Sequence, residues 1–238
     1  MQKLFLSFLV MVFSVAVMAQ KTINDPNAEK RTVGSFHGIE VGTGIELTLT
    51  QGATEDVAVS AAKTEHRDRI VTKVENGILK IHYDSKLGSV NKVKESKNLK
   101  AYVSFKTLDI LNANTGADVN IVGSIKSATL DIKANTGALI DGEVEVTTLK
   151  VSQNTGSKIN LSGRADNLSV DGDTGSKFKG EDMATSNCNV TVSTGAIVSV
   201  KAEKELQVKA NTGGVVRYKG NASIKEIKTN TGGTVSKI

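Results

Sequence analysis

The sequence predicts an all-β protein, a β-solenoid wound in parallel coils of about 19 residues. The first observation behind this prediction is a repeat. The pair Thr-Gly occurs seven times between residues 115 and 232, at intervals of 18 to 21 residues, and self-similarity at such a period is typical of solenoids. The second observation is composition, because the 238 residues include 22 Gly and only 1 Pro, and 4% are aromatic. A core with so few aromatics must be built from small and β-branched side chains, which favour strands.

Residues 1–19 form a predicted secretory signal peptide. Lys3 precedes an apolar run over residues 4–17, and Val17 and Ala19 occupy the −3 and −1 positions of a cleavage site. The run is short for a membrane anchor, and no basic stop-transfer cluster follows it. No cysteine lies near the cleavage site, so lipid attachment is excluded. We therefore expect an exported protein that is periplasmic, on the outer surface or extracellular, and neither a lipoprotein nor membrane-spanning.

The rest of the chain is interpreted as a linker over residues 20–30 and a single domain over residues 31–238. Within that domain, N-terminal strands occupy residues 31–105 and the Thr-Gly coils occupy residues 106–238. Alternating apolar residues, with Asn76-Gly77 as a hairpin turn, place the N-terminal strands at 39–41, 45–49, 57–59, 70–74, 78–83 and 99–105.

Aligning the seven repeats on their Gly gives columns of like residues. A small residue follows each Gly, and polar residues separate the apolar columns, so the strands bury one face. Each repeat is predicted to hold two strands and two turns, one at the Thr-Gly corner and one of variable length, such as residues 123–127. The apolar column three residues after Gly contains Val119, Ile140, Ile159, Phe178, Val198, Val216 and Val235. The column five residues before Gly contains Leu111, Ile132, Val151, Val170, Val190, Val208 and Ile227.

The segment 31–52, the VENGILKIHY segment and the x-Thr-Gly repeats together resemble the autotransporter adhesin head GIN domain family of Bacteroidetes-type bacteria. The family's Gly-Ile-Asn/Asp signature stands here as Gly44-Ile45-Glu46, and its Ser-Gly-Gly corner is mostly Asn-Thr-Gly. The resemblance covers residues 31–238. It implies a right-handed parallel β-helix and an exported protein of the cell envelope that acts as an adhesin.

No catalytic, cofactor or metal site is predicted. Cys188 falls in a column of leucines and is read as a core residue, and all three His lie before residue 83. The outward column six residues before Gly has no acids on adjacent rungs, whereas a glycosidase needs paired carboxylates. Asp171 and Asp173 flank one corner, but without a repeated calcium-binding frame they are not assigned a cation. The row of corner threonines suggests ice binding, but each Thr stands in a turn, so a stack of turns is preferred.

Residues 86–100 are the one place where charge of a single sign concentrates, with five Lys and one Glu. We expect Lys92, Lys94 and Lys97 to be the centre of a binding site for an anionic glycan, lipopolysaccharide or a host surface. The alternative is a solvated connection between strands. No nucleic-acid partner is expected, because no basic groove with aromatic residues is present. The sequence leaves the oligomeric state open.

The function predicted from the sequence is that of a non-enzymatic β-helix scaffold, an adhesin head or a glycan-binding or surface-binding protein. Two alternatives remain. One is a carbohydrate-active enzyme, which a cluster of carboxylates within hydrogen-bonding range would indicate. The other is a purely structural protein of the envelope.

Processing is expected after Ala19, because Val17 and Ala19 form the cleavage pattern that follows the apolar run. Mass spectrometry of protein purified from the native envelope should find Gln20 at the N-terminus. An intact Met1 would contradict this prediction.

Overall fold

The computed structural model describes residues 25–85 and 96–238 of the chain. The fold is nearly all β, with 63% strand and 2% helix, and its coils of about 19 residues stack in parallel through about 7 turns. The predicted β-solenoid is therefore confirmed. The predicted signal peptide lies outside the described residues. Within them, no helix is long and apolar enough to cross a membrane.

The strands and the one short helix of the described residues follow one another along the chain. They are β1 Glu29–Arg31, β2 Gly38–Val41, β3 Glu46–Gln51, β4 Asp56–Ser60, α1 Thr64–Arg67, β5 Ile70–Glu75, β6 Ile78–Tyr83, β7 Lys100–Phe105, β8 Ile110–Ala113, β9 Asp118–Ala134, β10 Leu139–Gln153, β11 Lys158–Gly172, β12 Lys177–Gly180, β13 Met183–Val192, β14 Ile197–Lys201, β15 Glu205–Ala210, β16 Val215–Lys219, β17 Ser223–Thr229 and β18 Thr234–Lys237.

Two ladders of strands run along the solenoid, one on each side of the Thr-Gly corner. The ladder after the corner contains β7, β3, the first parts of β9, β10 and β11, and then β12, β14, β16 and β18. The ladder before the corner contains β6, β2, β8, the last parts of β9, β10 and β11, and then β13, β15 and β17. All these neighbours are parallel, so each coil adds one rung and like residues lie above like residues.

The predicted apolar columns form the core. Val151, Val170 and Val190 are opposite one another on adjacent rungs and are buried. The same holds for the column that contains Val119 and Ile140. Both columns stay buried until the last coil, where Val235 is only partly buried and Ile227 is exposed. Aligning the repeats on Gly therefore gave the correct register.

The prediction of two strands per repeat is wrong, because the longer coils contain a third. Residues 124–127 pair in register with 143–146, and these pair with 162–165. The alternation of buried and exposed residues breaks on either side of this segment, so the chain bends there twice. The segment was missed from the sequence because its buried residues differ from copy to copy: Ile125 in β9, Val144 and Val146 in β10, and Ala165 in β11. No column of like apolar residues therefore marks it when the repeats are aligned.

The N-terminal strands close one end of the solenoid. β6 and β7 form the coil next to β2 and β3, and β5, β4 and β1 then add antiparallel neighbours at the edge. The hairpin turn at Asn76-Gly77 has positive φ at both residues, as predicted. β1 includes Glu29 and Lys30, which the sequence analysis places in the linker. Here the order of the strands along the solenoid differs from their order in the chain. β2 and β3 have β6 and β7 as neighbours on one side and β8 and β9 as neighbours on the other.

Val170→Asp is expected to lower the free energy of unfolding by about 3 kcal/mol or more, because it places an unpaired carboxylate in the core. Val170 is only 1% exposed, between Val151 and Val190. Urea denaturation followed by circular dichroism measures the change. Ser169→Asp is the matched control, because Ser169 is the exposed neighbour of Val170 and should tolerate the same group within about 0.5 kcal/mol. Equal losses for both variants would contradict the register.

Candidate functional site

The corner of each coil is a β-turn with left-handed backbone at both central residues. In eight corners, Thr has a φ of 42–60° and Gly a φ of 67–77°. Seven are the predicted corners, and the eighth is Thr43-Gly44, at the Gly-Ile-Glu motif. The backbone N–H of Ala117 donates to the carbonyl of Asn114 at 3.1 Å, and the later corners repeat this bond. These are the dihedral signs and the hydrogen bond of a type I′ turn.

Hydrogen bonds tie each corner to the next. In every corner except the last, the backbone N–H of the Gly donates to the carbonyl of the Thr on the following rung, at 2.9–3.1 Å. The Asn side chains of the corners form a ladder in parts, since Asn135 donates to Asn114 at 3.2 Å and Asn230 donates to Asn211 at 3.1 Å. The corner threonines therefore belong to a stack of turns, and we assign no ligand to them.

Asp173 takes the place of Asn in one corner and is held by hydrogen bonds. It accepts from the hydroxyl of Ser193 at 2.8 Å and from the backbone N–H of Thr174 at 2.7 Å. Hydrogen bonds from Thr194, Ser193 and Thr174 lower the pKa of this carboxyl. Within the described residues, no cluster of three or more His, Cys, Asp or Glu could hold a metal ion.

Cys188 is buried, as predicted for a residue in the leucine column. Burial raises the pKa of its thiol to about 11, and the Thr185 hydroxyl lies 2.9 Å from the sulfur. A thiol of such high pKa is protonated at neutral pH and is a poor nucleophile. Cys188 therefore serves packing.

The outer surface carries one group of acids that the sequence analysis missed. Glu46 of β3 and Asp118 of β9 are opposite each other on adjacent rungs, and Asp141 follows on the next strand. Partial desolvation raises the pKa of Asp118, and the like charges of Asp141 and Glu46 add to the effect. The pairing was hidden because residues 47–117 separate the two acids along the chain.

Only the last residues of the basic site predicted from the sequence, 96–100, are within the described part of the chain. They lie directly before β7 and at its first residue, Lys100. β6 and β7 continue the two ladders at the N-terminal end of the solenoid. Lys92 and Lys94 lie outside the described residues, and Lys97 lies within them.

Lys97 is held against an aromatic ring that a second cation also contacts. Its ammonium lies 4.4 Å from the centre of the Tyr83 ring, and the guanidinium of Arg69 lies 4.7 Å from the same centre. The Tyr83 ring is buried, and its hydroxyl is 3.1 Å from Nδ1 of His66. The ring is thus a fixed platform that positions both cations through cation–π contacts.

Local backbone bonds hold the two cations in place. Arg69 donates through Nε to the carbonyl of Asp84 at 2.9 Å, and the carbonyl of Lys97 accepts from Ala62 at 2.9 Å. Lys97 is exposed and Arg69 is half-buried. Across residues 25–85 and 96–238, no carboxylate forms an ion pair with either cation. We call Arg69, Tyr83 and Lys97 the basic platform.

Two of the three platform residues were missed from the sequence. Arg69 precedes β5 and Tyr83 ends β6, so the antiparallel hairpin brings them together, with Ile70 opposite Tyr83. The available signal was the position of the Lys-rich segment directly after β6. A strand that ends in Tyr before such a segment places an aromatic ring at its base.

The comparisons with known proteins agree with the fold. A family model described as "Putative auto-transporter adhesin, head GIN domain" matches residues 35–222. A comparison with curated proteins finds no match.

Several solved structures share the architecture. A structure described as a "putative adhesin" from Bacteroides fragilis has a TM-score of 0.78 and 19% sequence identity, over 89% of this chain and 96% of that one. A "putative adhesin" from Parabacteroides merdae has a TM-score of 0.70 and 16% identity, over 89% and 95%. A "putative lipid binding protein" from Parabacteroides distasonis has a TM-score of 0.65 and 20% identity, over 90% and 98%. At these identities the likeness is one of fold.

Asp118→Asn is expected to raise the melting temperature at pH 7 by roughly 1 °C. The raised pKa means that the folded state binds the Asp118 proton more tightly than the unfolded state does, so the ionised carboxylate destabilises the fold. The difference between variant and parent should vanish below about pH 3.9, where the carboxyl is protonated in both states. Melting curves from pH 3 to pH 8 measure it. Asp171→Asn is the control, since its opposite residues are Ser152 and Thr191. A gain that does not change with pH would contradict the electrostatic cause.

Proposed function

Because the chain belongs to the family of auto-transporter adhesin head GIN domains, we propose that it is an exported, non-enzymatic β-solenoid. We propose that it binds anionic surface glycans through the basic platform at its N-terminal end. The observation that carries the proposal is the basic platform, where Arg69 and Lys97 share the Tyr83 ring. Both cations are held in position before a ligand arrives, so little side-chain entropy is lost on binding.

The charge of the platform is available to an anionic ligand. Several charged groups near this end are paired within the chain; for example, Arg67 pairs with Glu29 at 2.6 Å and Lys80 with Glu75 at 2.7 Å. Arg69 and Lys97 have no such partner among the described residues. Lys92 and Lys94 stand between Tyr83 and Lys97 in the sequence, and we propose that they extend the site.

The chemistry of the site favours sugars that carry carboxylate, sulfate or phosphate groups. Arg binds such groups through a fork of N–H donors, and Lys binds them as a point charge. Lipopolysaccharide and host glycans both present these groups. A solved structure of this fold is described as a "putative lipid binding protein", which supports including a lipid-bearing ligand among those tested.

The second candidate is a purely structural role in the envelope. Its support is the stack of corners, in which the turns and the Asn side chains bond to their own neighbours. Such a protein needs no ligand, and the Lys-rich segment would then be a solvated connection. Binding measurements separate the two roles.

The purified protein is expected to bind anionic glycans at about 0.01 M ionic strength and to lose affinity at about 0.15 M, because screening weakens exposed charges. Arg69→Gln with Lys97→Gln should lower the affinity about tenfold or more. Charge reversal of Lys92, Lys94 and Lys97 to Glu should abolish salt-sensitive binding. Surface plasmon resonance on lipopolysaccharide and, separately, on sulfated and sialylated host glycans identifies the source of the ligand.

The matched control is Lys133→Gln with Lys209→Gln, which removes two exposed charges from the outer face of the coils. Its affinity should stay within about twofold of the parent, because the two charges lie away from the basic end. If the platform variant binds as the parent does, or if the parent binds nothing at low salt, the structural role replaces the proposal. Cleavage of any tested polysaccharide would overturn the non-enzymatic part.

A further inference from the structure

The C-terminal end of the solenoid carries core side chains on its surface. Ile224, Ile227 and Ile238 are 44%, 41% and 60% exposed and are the exposed large apolar residues of the described chain. The first two continue columns that are buried in every preceding coil, since Leu206 lies opposite Ile224 and Val208 lies opposite Ile227. Within residues 25–85 and 96–238, β17 and β18 have strand neighbours on one side only. The end is therefore an unpaired parallel edge with an apolar interior.

The described residues of the opposite end form a different kind of surface. There β5 and β4 pair antiparallel with the last parallel strands, and β1 pairs with β4. Val57 of β4, Ile70 of β5 and Tyr83 of β6 are buried. The described part of this end therefore does not repeat the parallel edge with exposed core side chains. A second copy that approaches with its own exposed C-terminal end meets a matching surface, which gives a closed two-fold contact.

A two-fold axis through β17 makes the facing strands antiparallel, and the sequence of β17 fits itself in one register. β17 contains an extra residue relative to β15, so two residues separate its inward-facing Ile224 and Ile227. Both inward positions face apolar partners only when Ile224 lies opposite Ile227 of the second copy. This register places Lys225 opposite Glu226 twice over, on the outer face. A shift by one residue in one direction places Lys225 opposite Lys225 of the second copy, and a shift in the other direction places Glu226 opposite Glu226 of the second copy. Like charges directly opposite each other are unfavourable.

We propose that β17 pairs with β17 of a second copy of this chain to form an end-to-end dimer. Two Ile224–Ile227 contacts continue the core across the contact, and two Lys225–Glu226 pairs fix the register. Glu226 already accepts from Gln207 at 2.8 Å, and Lys225 already pairs with Glu205 at 3.1 Å, so both side chains lie along the outer face of the edge. Since each copy places its C-terminal end in this one contact, the two-fold assembly closes at two chains.

The test is sedimentation velocity of the purified protein over a concentration series, with circular dichroism to check folding. The parent is expected to show a concentration-dependent dimer. Lys225→Glu places four acids at the contact and should weaken the dimer at least about tenfold. Combining Lys225→Glu with Glu226→Lys exchanges the two charges and should return the dimerisation constant to within about threefold of the parent. Lys150→Glu, on the outer face of β10, is the matched control, because Lys150 is exposed and lies several rungs from β17; it should leave the dimer unchanged.

A parent that stays monomeric at all concentrations overturns the proposal. So does a dimer that survives Lys225→Glu, or one that the exchanged pair does not restore, because the register then plays no part. Ile227→Lys provides a second check, since an exposed position accepts a charge without unfolding the chain, and it should abolish the dimer. These readouts do not depend on any ligand, so they stand apart from the glycan-binding proposal.

Discussion

The structure depends on the coils staying in register, and the corner turn enforces that register. Each corner Gly except the last donates to the carbonyl of the Thr on the next rung, so one corner positions the next. A slip of one residue beside a corner would turn every inward side chain of that strand outward. The repeat length nevertheless varies from 18 to 21 residues. The variation falls away from the corner, at the irregularity between Asp141 and Glu143 and at the break between β12 and β13.

The backbone conformation of the corner is energetically unfavourable for Thr, and yet the same conformation recurs from coil to coil. A β-branched residue in the left-handed region is strained by roughly 1–2 kcal/mol, and Asn-Gly is the usual choice for a type I′ turn. Here Thr takes the first left-handed position eight times. Side-chain hydrogen bonds offset part of the strain; for example, the Thr155 hydroxyl bonds to Asn154 at 3.2 Å, and hydrogen bonds from Thr194 lower the pKa of Asp173. The hydrogen bonds between successive corners thus stabilise the fold despite the local backbone strain at each Thr.

The structural features that recur in every coil could be predicted from the sequence, and the features that do not recur in this way could not. The columns through Val170 and Val119 were visible because seven copies give the same answer. The third strand segment was missed because its buried residues change from coil to coil, from Ile125 to Val144 and Val146 and then to Ala165, so it forms no column of like residues. The first corner, Thr43-Gly44, was missed because 71 residues separate Gly44 from Gly116. This corner therefore lies outside the regular spacing of 18 to 21 residues. The basic platform was missed for a related reason, since only the antiparallel hairpin brings Arg69 to Tyr83.

The two ends of the solenoid differ in a way that links the two proposals. At the N-terminal end, antiparallel strands cover the core, and Tyr102 donates to Asp25 at 2.8 Å, where burial and this bond raise the tyrosine pKa to about 12. Pairing through β17 would leave the two N-terminal ends, each with its basic platform, pointing away from each other. With nine parallel strands in each ladder of each chain, they would be on the order of 90 Å apart. Two sites that face in opposite directions cannot both reach one flat surface, so the gain from bivalency on that surface would be lost. The same geometry suits a molecule that joins two surfaces, with one weak, salt-sensitive contact on each.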